Sequence, residues 1–196
     1  MKSIGNKRSF TGIRCVFLDR DGVINRKPPE GRYVSIWEQF EILPAVEEAI
    51  ARLNATGKRV VLISNQRGVA LGLYTAEDVE LLHRQLADHL ASYQARIDGF
   101  YFCPHDRGTC ECRKPATGLF DRAVRDFPGI TAGTSVVIGD SLSDVQAAKN
   151  FGSRSILITG DPDTRKAGFE LAQQLADAVA GSLSQAVDLL TADDGD

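Results

Sequence analysis

Four short polar segments of this chain carry residue types that can do chemistry together. The first is Asp19-Arg20-Asp21-Gly22-Val23-Ile24-Asn25. Two acids two residues apart, directly off an apolar run, are costly to place unless they bind something. The second segment, Ser64-Asn65-Gln66, offers a hydroxyl and two amides. The third is the basic pair Arg113-Lys114, followed by Pro115. The fourth is Gly139-Asp140-Ser141-Leu142-Ser143-Asp144. Singly, each also reads as ordinary loop chemistry: a turn glycine, a solvated basic pair, or acids capping a helix through Ser143 or Asp144. Together they read differently. Carboxylates from two segments, a hydroxyl from a third and a nearby lysine would repel or strand one another unless a divalent metal joined them. Lysine, hydroxyl and backbone amides around such a metal suit a phosphoryl group, and positioning with charge neutralisation is most of what phosphoryl transfer needs.

The chain has four cysteines; Cys15 stands alone, whereas Cys103, Cys110 and Cys112 cluster with His105 as C-x-H-x4-C-x-C. An odd group of three thiols cannot pair internally. Thiolates and imidazole are good zinc ligands, and four of them with no acid make a closed structural site. The plainer reading is three cysteines in a buried loop, one of them reactive. Zinc here would fix Arg113 and Lys114, which follow directly. His83 and His89 share no helix face and are expected to pack or be solvated, and Cys15 is expected to be a small core residue.

The elements that must position these groups alternate in type. The apolar run at 14–18 is too continuously apolar to be half exposed and reads as a buried, central parallel strand; 59–63 reads as a second buried strand, and 100–102, 135–138 and 155–158 as further strands. Helical patterns lie between them: one opened by Pro44 and closed at Gly57, one from Thr75 with Asp78 three residues on to about Tyr93, then 118–127, 143–151, 167–179 and 183–190. The Asp-rich end after Thr191 is expected to fray. Strands alternating with helices predict a doubly wound, mostly parallel α/β sheet, whose ligands sit at the carboxyl ends of the strands. Each polar segment follows a strand or opens a helix.

Composition agrees with a globular chain. The 196 residues, 43% hydrophobic and 25% charged, suit one domain spanning 1–196. A formal charge of −3 gives no basic field for nucleic acid. No apolar run approaches the ~18 residues of a membrane span, and the N-terminus lacks the apolar core of a secretory signal. These features lead us to expect a cytoplasmic monomer without nucleic-acid or membrane partners.

At DRDGVIN, SNQ, RKP and GDSLSD the chain resembles the haloacid dehalogenase superfamily of phosphatases, in the right order and from about Cys15 to Thr159. The resemblance implies Asp19 as the nucleophile and Asp21 as the general acid and then base. It also implies Mg2+ held by Asp19, the Asp21 backbone carbonyl and Asp140. Ser64, Asn65, Arg113 and Lys114 would bind substrate and its phosphoryl group, with Asp144 orienting Lys114 or the metal shell. The cluster Cys103, His105, Cys110, Cys112 is similar to the zinc loop of the heptose-bisphosphate and histidinol-phosphate branches. The intervals from Asp21 to Ser64 and from Ser64 to Lys114 are nearly filled by the elements above. No cap domain fits, and an open cleft suits a small phosphorylated sugar. Tyr33 and Trp37 are candidates to line it, or else to pack on the core. The leading expectation is a phosphomonoesterase acting on a sugar bisphosphate, and the runner-up acts on histidinol phosphate or another small ester. From other classes, a phosphorylated receiver module is opposed by Asp21, because an acid there promotes hydrolysis. A zinc-stabilised sugar-binding protein needs both acids idle.

Overall fold

The computed structural model describes residues 10–165 and 167–192; the tail beyond Ala192 and the first nine residues, which bear on the expectations about fraying and a signal segment, lie outside them. Six strands, β1 (Cys15–Leu18), β2 (Arg59–Asn65), β3 (Gly99–Cys103), β4 (Ser135–Gly139), β5 (Arg154–Ile158) and β6 (Ala178–Ala180), form one sheet in the order β3-β2-β1-β4-β5-β6. Every neighbouring pair is parallel. The helices are α1 (Val46–Ala55), α2 (Arg67–Ala70), α3 (Ala76–Ala91), α4 (Gly118–Asp126), α5 (Leu142–Phe151), α6 (Phe169–Leu175) and α7 (Leu183–Ala192).

Both faces are buried along β1, β2, β4 and β5, which is why these strands read as unbroken apolar runs, while β3 at the edge is half-buried. Val16 and Leu18 of β1, with Val60 and Leu62 of β2, face a core completed by Ile50 of α1, Leu86 of α3 and Val187 of α7. Cys15 and Phe17, with Val61 and Ile63, face the other side, against Leu119 and Phe120 of α4 and Ala147 of α5. There Phe17 lies edge-on to Phe120 and Phe151, with centroids 5.0 and 5.8 Å apart. Cys15 is a core residue, as expected.

Helix α3 starts where Thr75 and Asp78 exchange bonds: Thr75 Oγ1 accepts from the Asp78 amide at 3.1 Å and Asp78 Oδ2 accepts from the Thr75 amide at 2.8 Å. Pro44 does not open α1. The Leu43 amide is held by the Ile24 carbonyl at 2.9 Å, and the chain turns through Ala45 at φ 60° before the helix begins at Val46. The expected helix over 167–179 is also corrected: α6 stops at Leu175 and Ala178–Ala180 add a sixth strand. Pairing of Ile156–Ile158 with that segment, secured by the Ser155 amide and hydroxyl on Asp177 Oδ2, overrides its weak helical preference. Short α2 and a 3-10 turn at Trp37–Gln39 carry too few residues to show a period. Among the described residues, the two intervals expected to be too full for a cap hold only these elements, and no helix is long and apolar enough to cross a membrane.

Candidate active site

Chain order along the sheet reverses between β1 and β4, so the loops leaving these strands diverge and open a crevice at their carboxyl ends. Asp19 leaves β1 there. Its amide donates to the Ile138 carbonyl at 2.9 Å, which sets it beside the end of β4, where Gly139 leads to Asp140. Carboxylate oxygens of Asp19, Asp140 and Asp144 lie within 4.8 Å of one another. The ammonium of Lys114 sits among them, 2.8 Å from Asp19 Oδ1, 2.5 Å from Asp144 Oδ1 and 2.8 Å from the Ile63 carbonyl. Burial raises the Asp19 carboxyl above its ordinary range and the Asp144 charge adds to this, while Lys114 opposes both. Burial alone would lower Lys114, but Asp144 and Asp19 outweigh it and hold the ammonium charged.

Close packing at these strand ends is what the glycines permit. A Cβ on Gly139 would collide with the Asp144 side chain, and one on Gly22, at φ +93°, would collide with Asp140. Ser141, rather than Ser143 or Asp144, caps α5: its hydroxyl and amide bond Asp144 Oδ2 at 2.5 and 3.1 Å. Asp144 is thereby held with its other oxygen toward Lys114.

Asp21 points elsewhere. Its carboxylate accepts from Arg20 Nε at 3.2 Å, from Arg20 Nη2 at 3.1 Å and from Asn25 Nδ2 at 3.0 Å. Arg20 is almost wholly buried and anchored by the Val34 carbonyl at 2.9 Å. The Asp21 carboxylate is absent from the group that converges with Asp19, so a cation contact there would fall to its backbone carbonyl. Ser64, at the end of β2, accepts from Gln66 Nε2 at 2.6 Å, while Tyr74 donates to Gln66 Oε1 at 2.9 Å. Asn65 is expected to bind substrate, but both ends of its side chain are committed to the Lys114 backbone, at 3.0 and 3.1 Å. It acts on the site through Lys114.

The donor set fits a hard divalent cation. Three carboxylates face two ammonium groups, Lys114 and Lys27, and Asp140 Oδ1 is buried with no hydrogen-bond partner among the described residues. Burial pushes the Asp140 carboxyl up to about 7 despite Lys27.

A second cluster lies where β3 ends. Cys110 Sγ is 3.5 Å from Cys103 Sγ and 3.4 Å from Cys112 Sγ, and His105 Nδ1 is 3.2 Å from Cys112 Sγ and 3.7 Å from Cys103 Sγ. None of these cysteines is in a disulfide. A tetrahedral zinc with sulfurs at about 2.3 Å spaces them about 3.8 Å apart, so the cluster has the dimensions of a metal site. Burial pushes the Cys112 thiol up to about 12; at Cys110 burial acts the same way, but contacts from Cys112 and Arg113 outweigh it and bring the thiol to about 7. The loop is tied to its surroundings by Arg67 Nε on Asp106 Oδ1 at 2.5 Å and by the Gly118 amide on the Glu111 carbonyl at 3.0 Å. Arg113 reaches the His105 carbonyl at 3.5 Å.

Of the two candidate aromatics, Tyr33 lies against Tyr74, with centroids 5.8 Å apart. Trp37 stacks on Phe40 at 5.4 Å and neighbours His89 at 5.6 Å, which makes it a packing residue. His83 is buried against Phe100, and His89 meets Glu47 at 3.0 Å. Sequence reasoning placed Arg20 and Asn25 in the first polar segment without giving either a role, and it missed Lys27 and Tyr74. Arg20, lodged between two acids, carried a signal of its own.

Comparison with known proteins bears on this geometry. A family model described as HAD-hydrolase-like matches residues 111–186. The D-glycero-alpha-D-manno-heptose-1,7-bisphosphate 7-phosphatase of Mycobacterium bovis is 48% identical over 137 residues, covering 69% of this chain and 72% of the relative. The D-glycero-beta-D-manno-heptose-1,7-bisphosphate 7-phosphatase of Salmonella typhi is 36% identical over 182 residues, covering 88% and 92%. Among solved structures, the D,D-heptose 1,7-bisphosphate phosphatase of B. bronchiseptica, complexed with magnesium and phosphate, superposes with a TM-score of 0.80 at 29% identity, covering 92% of this chain and 99% of that one.

Proposed function

The chain belongs to the heptose-1,7-bisphosphate 7-phosphatase family of haloacid dehalogenase-like hydrolases, and from this we propose that it removes the 7-phosphate of a heptose 1,7-bisphosphate through an aspartyl-phosphate. The observation that carries the reading is Asp19, at the reversal point of the sheet, flanked by Lys114 and Asp140.

In the first step Asp19 attacks phosphorus, forming an acyl-phosphate bond as the ester P–O bond breaks, and Asp21 gives its proton to the leaving alkoxide. In the second step Asp21 takes a proton from water, the water oxygen bonds to phosphorus, and the bond to Asp19 breaks to release phosphate. Ser64 accepts from Gln66, which leaves its own O–H to donate to a phosphoryl oxygen. Lys114 supplies a fixed positive charge beside Asp19. Arg20, Asn25 and Gln66 aim Asp21, and Asn65 and Asp144 aim Lys114. Mg2+, held by Asp19, Asp140 and the Asp21 carbonyl, would neutralise charge on the phosphoryl oxygens.

Zinc at Cys103, His105, Cys110 and Cys112 would act structurally, holding the segment that leads into Arg113 and Lys114. In this reading Arg113, next to Lys114 in the chain, reads a second anion through a bidentate pair. The reading is tested by phosphate release from both anomers of heptose 1,7-bisphosphate, from the 7-monophosphate and from histidinol phosphate. The expected order of kcat/KM puts a bisphosphate first and histidinol phosphate last. Equal values, or histidinol phosphate in first place, overturn it.

A further inference from the structure

One charged side chain at the site has no place in the reaction described above. Lys27 comes from the loop after β1, is 8% exposed, and its ammonium is ion-paired with Asp140 Oδ2, a residue 113 positions away. Burying a lysine is costly, and only a matched charge offsets the loss of water. Here the match is the same carboxylate whose other oxygen is buried with no hydrogen-bond partner among the described residues, and which has an oxygen within 4.8 Å of one from Asp19.

The backbone carrying Lys27 is fixed on both sides. Asn25 bridges to Ile42, the Arg26 amide donates to the Glu41 carbonyl at 2.7 Å, and Pro28-Pro29 follow. Any change of partner by the ammonium must therefore come from side-chain rotation, which four rotatable bonds readily allow.

We propose that Lys27 is a phosphoryl-binding residue that rests on Asp140 when the site is empty and turns to the phosphate when a divalent cation holds that carboxylate. This rests on the assignment of Asp140 as a cation ligand made above. Lys27 and the cation then compete for one oxygen, so the free protein binds the cation more weakly than its carboxylates alone would allow. Once released, the ammonium supplies a second positive charge, beside that of Lys114, to the phosphoryl oxygens. Lys27 thus opposes the metal in the empty site and aids the phosphate in the loaded one.

That double role has a signature a structural residue lacks. Isothermal titration would measure Mg2+ binding to the zinc-loaded protein without substrate, and inorganic phosphate binding at saturating Mg2+. In Lys27→Met the Mg2+ Kd is expected to tighten on the order of tenfold and the phosphate Kd to weaken by a similar factor. Lys27→Arg, which keeps the charge, should stay within a few-fold of wild type in both titrations. Lys27→Gln keeps a donor for Asp140 and should shift both in the Met direction, so the comparison survives if the Met variant does not fold. Parallel weakening of both ligands, or an unchanged Mg2+ Kd in the uncharged variants, overturns the proposal. Wild-type protein that binds no Mg2+ would instead overturn the assignment of Asp140 on which it rests.

Discussion

Burial and the neighbouring Asp144 charge push the Asp19 carboxyl up, and Lys114, 2.8 Å away, opposes both. An amide at this position removes the repulsion and the nucleophile together. Asp19→Asn is therefore expected to lose several orders of magnitude in kcat, as removal of a covalent nucleophile commonly costs, while its metal-free melting temperature stays level or rises. Measurable turnover near wild type would remove Asp19 from the nucleophile's role. Away from the crevice, His83 is a second residue governed by burial. It is shut among Phe100 and Phe102, its Nε2 has no hydrogen-bond partner among the described residues, and burial, helped by Arg20 and opposed by Asp21, pulls it down to about 3. Below the ordinary histidine value the unfolded chain takes up the proton and the folded one does not, so this stability contribution is lost as pH falls from about 6.5 toward 3. His83→Phe should remove that part of the slope. Urea unfolding at pH 8 and pH 5 should show the variant gaining about 2 kcal/mol on wild type at the lower pH; parallel curves would show that His83 is protonated in the fold.

At the scale of elements, the site depends on how closely α5 approaches the end of β4. Gly139 permits that approach, so Gly139→Ala must push Asp144 away and, through it, Lys114. A loss of about 2–3 kcal/mol in stability together with a fall in kcat is expected, and a variant with wild-type kcat would show that Lys114 keeps its place without Asp144. The Cys/His loop makes a different prediction. Protein purified without chelator should carry about one zinc per chain, and Cys110→Ser or His105→Ala should lower the melting temperature by about 5–10 °C and raise KM before kcat. Metal analysis that finds no zinc would refute it. Sequence patterns located the long elements because burial on both sheet faces, or along one stripe of a helix, imprints on many residues at once. They failed for α2, which is too short to show a period, and for β6 and at Pro44, where a few hydrogen bonds from distant parts of the chain decide the backbone. The ligand cluster at 103–112 was legible because it is local in the chain.

Across the whole molecule, the candidate catalytic groups come from segments far apart in sequence and meet only because parallel winding brings the strands' carboxyl ends to one edge. Asp19, Ser64 and Asp140 were legible as a group for that reason, since each follows or ends a strand, whereas Lys114 comes from the loop between β3 and α4. Lys27 was not, since nothing local tells a buried charge from a solvated one. With only short elements around the crevice, selectivity falls to side chains at its rim. Arg113→Ala should then lower kcat/KM for a bisphosphate by about tenfold while leaving a monophosphate nearly unchanged, and an equal loss for both would deny Arg113 any part in reading the second anion.

The bond from the Asp19 amide to the Ile138 carbonyl ties the proposed nucleophile into the middle of the sheet, between β2 and β4, rather than to a peripheral loop. Breaking that bond means parting the two central strands, an opening that in a packed sheet costs as much as unfolding the whole. The Asp19 amide should therefore rank among the slowest to exchange with deuterated solvent, and activity in a urea titration should vanish along the same curve as the fold, with no inactive folded form preceding it.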